Sequence, residues 1–246
     1  MSLPAVSSRQ EWLVARKELL AREKELTRQH DELNTIRRQL PMVRIDKDYS
    51  FTGPDGPSTL VDMFGDSHQL VLQHVMYDPS WEDACPSCSA GLDELSAGLL
   101  RNLRSRETAF AAVSRAPYDK IAKFKARKGW DFAWYSSFGS DFNYDFNVTI
   151  DTSVAPAMFN FRDAAELKQA GFGWILDGSS EQPGISCFLR DGDAIYHTYS
   201  TFGRGVEYLG GAYAILDITA LGRQEEWEEP KGRAPKVRGP VPDFAE

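Results

Sequence analysis

Cys85 and Cys88 stand two residues apart in "WEDACPSCSAGLDELSAGLL", between two runs of opposite character. Before them, "HQLVLQHVMY" (68–77) is almost continuously apolar, the pattern of a strand buried on both faces. Behind them, Leu92, Leu95, Leu99 and Leu103 recur at helical spacing. A cysteine at such a junction falls at a helix N-terminus, where free N–H groups and the helix dipole stabilise a thiolate. Pro86 takes the first helical position, where its missing N–H has no partner to lose. Cys88, about one turn on, is placed to resolve a mixed disulfide formed on Cys85. The spacing therefore predicts Cys85 as the attacking thiol and Cys88 as the resolving one. Glu82 and Asp83 oppose the dipole, which predicts a Cys85 less acidic than that of a strong oxidant.

Other chemistries fit less well. Zinc commonly takes two close pairs of ligands, whereas Cys187 is alone and the four histidines are scattered, so no metal is expected. The order of strands and helices resembles peroxiredoxins, but their Pro-x-x-x-Thr/Ser-x-x-Cys motif is absent. Counting back from Cys85 gives Glu82 and Asp78, and from Cys88 gives Cys85 and Trp81. Two inert buried thiols, in a fold that only binds or scaffolds, remain as the alternative from another class.

Composition narrows the setting. The chain has 246 residues, 42% hydrophobic and 12% aromatic, enough for one large domain with extensions. A formal charge of −8 argues against a nucleic-acid partner, and the basic runs "RNLRSR" and "KIAKFKARK" read as solvated helix faces. No apolar run approaches the ~20 residues that span a bilayer, so no membrane partner is expected. The first residues lack a basic start followed by an apolar stretch, so no secretory signal is expected either. Three cysteines suit a reducing cytoplasm, where a close pair is catalytic or metal-binding more often than structural.

Along the chain, residues 8–40 read as one long helix with Trp12, Leu19, Leu26, Leu33 and Leu40 every seven residues and Pro41 as the stop. That stripe should bury against the body or a second copy, with a homodimer preferred. Strand, helix, strand, helix, strand then occupy 68–138, which argues a right-handed, mainly parallel α/β sheet. Residues 139–180 are less regular, with a short helix in "RDAAELKQAG". "ISCFLRDGDAIYHTYST" reads as a hairpin around Asp191-Gly192, and "GVEYLGGAYAILDIT" as a closing helix. The divisions are an N-terminal helical extension (1–41), one domain (42–222) and a tail (223–246) rich in Glu, Pro and Gly and expected to be poorly ordered.

On "RRQLPMVRIDKDYSF", "CPSCS", "VSRAPYDKIAKFKARKGW", "SSFGSDFNYDF" and "HTYSTFGRGVEYL", the chain resembles thioredoxin-like bacterial proteins of unknown function predicted to be dithiol-disulfide oxidoreductases. The resemblance covers about residues 8–225. It implies an α/β, thioredoxin-like sheet flanked by helices, with the long helix as extension and an insertion before the final hairpin. The expected function is thiol–disulfide exchange on a thiol or disulfide substrate, protein or small molecule, with no cofactor expected. Thioredoxins carry a cis-proline before the penultimate strand, facing the cysteines. Here that position holds Gly184, with Pro183 one residue earlier.

Four further readings complete the substrate side. Pro86 sits between the thiols. Arg115 follows a predicted strand at the edge where α/β sheets bind ligands. His197 and Arg204 either face the cysteines, to steady a thiolate or bind a carboxylate, or are a strand-end histidine and a surface arginine. Cys187, inside a strand, reads as a buried apolar residue, and Trp130 and Trp134 as core or cover.

Overall fold

The structure, a computed structural model, describes residues 4–209, 211–220, 223–229, 231 and 237. It opens with α1 (Arg9–Arg38), started by a Ser8 capping box in which the Ser8 hydroxyl accepts from Glu11 N–H and the Glu11 carboxylate accepts from Ser8 N–H. Short strands β1 (Val43–Arg44), β2 (Phe51–Gly53) and β3 (Gly56–Ser58) follow, the last two joined by the predicted Gly-Pro-Asp-Gly turn. Then come β4 (Gln69–His74), α2 (Pro86–Asp93), α3 (Ala97–Arg104), β5 (Thr108–Ser114), α4 (Tyr118–Lys128) and β6 (Ala133–Ser136). The insertion supplies α5 (Phe142–Asp145), β7 (Thr149–Ile150), β8 (Met158–Phe159), β9 (Arg162–Asp163), α6 (Ala164–Gln169) and β10 (Ser180–Glu181). The hairpin β11 (Gly184–Asp191) and β12 (Ala194–Phe202) closes the sheet, and a 3-10 turn at Gly203–Leu209 leads to α7 (Gly211–Leu216).

The main sheet runs β1-β12-β11-β4-β5-β6-β2-β3. β4, β5 and β6 are parallel, and β11 is antiparallel to both β4 and β12. Parallel strands flanked by an antiparallel hairpin, with the cysteine helix leaving the central strand, make this a thioredoxin-like α/β fold with an N-terminal long helix and an insertion. Because β4, β5 and β6 step in one direction, right-handed crossovers put α2, α3 and α4 on the same face. There Leu92, Ile121 and Phe124 pack with Val75, Tyr77, Ala112, Phe132 and Trp134. Trp130 leans on this layer, its centroid 5.8 Å from that of Trp134. The opposite face is sealed by Phe51, Leu60, Phe64, Phe142, Phe146 and Phe188 around Leu70 and Leu72.

Several expectations change in detail. The leucine run after the cysteines is two helices, not one, because the Ser96 hydroxyl accepts from Leu99 N–H and restarts the chain as α3. The expected closing helix is a 3-10 turn followed by α7. The β11–β12 turn centres on Gly192-Asp193, where Gly192 takes φ +58° at no steric cost. The α1 stripe does not bury against the body: no residue of α1 is buried, and Trp12 and Leu26 are 46% and 60% exposed. Contact with the body includes the Arg37 guanidinium over the Tyr199 ring at 4.8 Å. In the tail, Arg223 is held by Asp217 (2.6 Å) and Glu207 (2.7 Å). Apart from 223–229, 231 and 237, the tail expected to be poorly ordered lies outside the described residues.

Candidate active site: a dithiol at a helix N-terminus

The loop from β4 to α2 is held at several points. Tyr77 Oη donates to Glu82 O (2.7 Å), and Asp78 Oδ1 accepts from the Ser80 N–H and hydroxyl. Lys120, from α4, donates to the carbonyls of Pro79 (2.8 Å) and Trp81 (2.9 Å). Arg127, two turns further along α4, bonds the Asp83 carboxylate. The cations read from sequence as a solvated face thus partly fasten the cysteine loop. Asp83 is neutralised by Arg127, so its expected opposition to a Cys85 thiolate is weakened at source.

This loop delivers Cys85 as the N-cap of α2, with Pro86 in the first turn and the Cys85 N–H donating to Met76 O (2.9 Å). Cys85 is part-exposed, whereas Cys88, one turn in, is buried among Leu92, Ala84 and Tyr77. The Cys85 thiol falls to about 6, chiefly because the Cys88 thiol donates to it; the N–H groups of Cys88 and Ser87 and the Ser87 hydroxyl add to this against burial. Cys88 rises well above the ordinary thiol range, because its proton is committed to Cys85 and because it is buried. All three cysteines are free thiols. Burial also raises Cys187, with Arg37 acting the other way.

Pro183 and Gly184 share a cavity wall with Ser87 and Cys88, so the end of β11 does meet the cysteine helix. A Cβ on Gly184 would lie 2.7 Å from the Phe202 ring, which accounts for glycine there. Arg115 lies at the expected sheet edge, but its guanidinium is engaged by acceptors within the fold. It pairs with Glu181 (2.7 Å) and Asp78 (2.5 Å) and donates to Tyr144 Oη (3.3 Å). Glu181 is raised by its burial, offset by Arg115 and by the Thr149 hydroxyl.

His197 does not face the cysteines. It packs against Phe146 and Phe188 on the opposite side of the sheet and bonds Ser200 Oγ (2.7 Å). A register shift between Cys187 and Phe188 inserts an extra residue in β12, which puts His197 and Ser200 on one face despite their odd spacing. Ser200 in turn bonds Ser186, and Ser186 bonds His74, which burial holds neutral, down to about 3. Arg204 is engaged by Glu207 Oε2 (3.2 Å) and the Trp227 ring (4.2 Å), not by a thiol. Sequence reasoning missed Ser87, Lys120 and Asp78. Only Ser87 carried a signal, as a hydroxyl inside the cysteine motif.

Among the described residues, no group of three or more His, Cys, Asp or Glu side chains could hold a metal ion, and no helix is long and apolar enough to cross a membrane.

Fold and site together define a thioredoxin-fold protein with a Cys-x-x-Cys at a helix N-terminus. The chain belongs to the family described as "Bacterial protein of unknown function (DUF899)", whose model matches residues 1–238. Among solved structures it is similar to a mutant of Xylella fastidiosa PrxQ at 14% identity, covering 65% of this chain and 84% of that one, TM-score 0.40. It is also similar to a mutant of Xanthomonas campestris Peroxiredoxin Q at 18% identity, covering 69% and 92%, TM-score 0.40. A putative protein disulfide isomerase from Bacteroides thetaiotaomicron matches at 19% identity, covering 42% and 64%, TM-score 0.30. No curated protein sequence matches the chain.

Proposed function

We propose that the protein is a thiol–disulfide oxidoreductase working through Cys85 and Cys88 on a protein or small-molecule thiol or disulfide. The observation that carries this reading is the asymmetry of the pair: a part-exposed Cys85 at the N-cap of α2, with Cys88 buried one turn behind it. The Cys85 thiolate attacks a substrate disulfide, forming a mixed disulfide as the first substrate thiolate leaves. Cys88 then attacks Cys85 Sγ, its proton passing to the departing substrate thiolate. The second substrate thiolate departs, a Cys85–Cys88 disulfide remains, and two electrons have passed to the substrate. The reverse sequence oxidises a substrate dithiol.

Mixing the reduced protein with oxidised glutathione and following free thiols tests this. A reversible equilibrium with a definable reduction potential supports it. Thiols that never exchange overturn it in favour of a fold that only binds or scaffolds. The chemistry suits a reducing cytoplasm, which would return the pair to the dithiol.

The same reading extends to assembly. The heptad-spaced stripe of α1, left uncovered by its own body, is taken to pair with the α1 stripe of a second copy.

A further inference from the structure

A cavity of about 370 Å³ lies beside the dithiol, on the helix-bearing face of the sheet. It extends from Ser87 and Cys88 in the first turn of α2 to Leu103 in the last turn of α3, roofed by Gly203 and Val206 of the 3-10 turn. That volume falls in the range of small-molecule sites. Its walls among the described residues are mostly hydrocarbon: Val71 and Phe110 from the sheet, Leu95 from the link between α2 and α3, Leu99 from α3, and Ile185 from β11.

The charged groups in the lining are already spent. Glu94 accepts from the N–H groups of Gly211 and Ala212 (3.1 Å to the latter), and Glu207 accepts from Arg204 and Arg223. Neither carboxylate needs a ligand cation. The other polar side chains, Gln73 and Ser87, are neutral, and the His74 ring is turned to the opposite face, against Phe142 and Phe146. Gly91 keeps the space open from the helix side. A Cβ there meets only Gln73 Nε2 within 4 Å, at 3.9 Å. A glycine inside a helix costs stability relative to residues with side chains, and neither a left-handed φ nor a clash accounts for it here.

We infer that this cavity is the binding site for an uncharged, apolar chain carried by the substrate, so that the dithiol acts on alkyl or similarly apolar thiols and disulfides. The inference rests on the exchange reading above and deepens it. With a dialkyl disulfide, the Cys85 thiolate bonds one sulfur and expels the first alkanethiolate, which takes up a proton. Attack by Cys88 on Cys85 releases the second alkanethiol, whose chain has lain in the cavity. The dithiol is oxidised by two electrons and the disulfide becomes two thiols.

The test has two arms on the full chain. In the first, the reduced protein is oxidised by diethyl, dipropyl, dibutyl and dipentyl disulfide in single turnover. Burying each further methylene should raise the rate constant at sub-saturating substrate roughly three- to fourfold. In the second, the uncharged fluorophore N-phenyl-1-naphthylamine is titrated into the wild type and into the Cys85→Ser/Cys88→Ser protein, and both should bind it.

Gly91→Leu should weaken that binding at least about tenfold and flatten the chain-length dependence, while its helix propensity favours folding. Leu99→Glu, at a position 39% exposed, is a second variant that places a charge in the wall and should act alike. Chain-length-independent oxidation together with no probe binding, or with binding untouched by both variants, overturns the cavity assignment and leaves exchange standing. Probe binding lost in both variants, with no disulfide able to oxidise the wild type, supports the cavity and overturns exchange.

Discussion

Cys85 caps the N-terminus of α2 part-exposed while Cys88 lies buried one turn behind it, and this placement drives two chemically identical side chains apart in acidity. Hydrogen bonding from the Cys88 thiol and from nearby N–H groups lowers Cys85, and the same thiol contact together with burial raises Cys88. Cys85 should ionise with a midpoint near 6, and Cys88 only far above the ordinary thiol range. Iodoacetamide alkylation read by peptide mass against pH should show Cys85 modified first. Cys88→Ala, which removes the donor, should move the Cys85 midpoint upward. Equal reactivity of the two thiols would refute this ordering.

The order of attack predicts the behaviour of single variants. Cys88→Ser should accumulate a stable mixed disulfide on Cys85, visible as a mass increase reversed by dithiothreitol. Cys85→Ser should abolish exchange. Cys187→Ser should change little, since neither step uses that thiol. A mixed disulfide trapped on Cys88 instead would reverse the assigned roles.

Stability should carry the same signature. A thiol near 6 in the folded state and ~8.5 unfolded stabilises the fold fully above ~8.5, and that contribution is lost as pH falls through 6. Cys88 is shifted the other way. It stays protonated in the fold while the unfolded chain ionises, so it subtracts stability above ~8.5. Urea unfolding of the reduced protein, minus that of the Cys85–Cys88 disulfide form, should therefore rise from pH 6 to about 8.5 and decline beyond. A flat difference would mean that Cys85 is not acidified by the fold.

Arg115 should matter for folding more than for substrate. Glu181, with a side chain 2% exposed, depends on it for a counter-charge. Arg115→Ala should cost about 3–5 kcal/mol in urea unfolding by stranding that carboxylate. Adding Glu181→Gln should recover part of the loss. Unchanged stability in the single variant would show that the pair is dispensable.

Sedimentation velocity on the intact chain and on one lacking residues 1–40 tests the pairing of α1. Since no residue of α1 is buried, the body should fold without it. A dimer that becomes a monomer on truncation is expected, and a monomer in both removes the pairing.

Much of the site was legible because it is local. A buried run, a Cys-Pro-x-Cys and leucines at helical spacing specify strand, N-cap and helix within about 35 residues. What was lost depended on partners far along the chain. The Arg115 cleft reading could not foresee Asp78 and Glu181, which arrive from the cysteine loop and from β10. The sequence leaves His197 between facing the cysteines and a plain strand residue, and the extra residue in β12, which sets it beside Ser200 on the far face, has no local sign in the sequence. The helix break at Ser96 was readable in principle, but the leucines keep their spacing through it.

β4 aims the cysteines, yet its two neighbours come from distant parts of the chain. Gln69 pairs with Thr108 on one side and with Leu189 on the other. During synthesis the first partner emerges soon after β4, whereas the second must wait for the whole insertion. Until the final hairpin docks, β4 is an edge strand of Leu70, Val71 and Leu72, open to pairing with another chain. Pairing over such separations is slow, so folding of this protein should be limited by the arrival of β11 rather than by formation of the helix that carries the thiols.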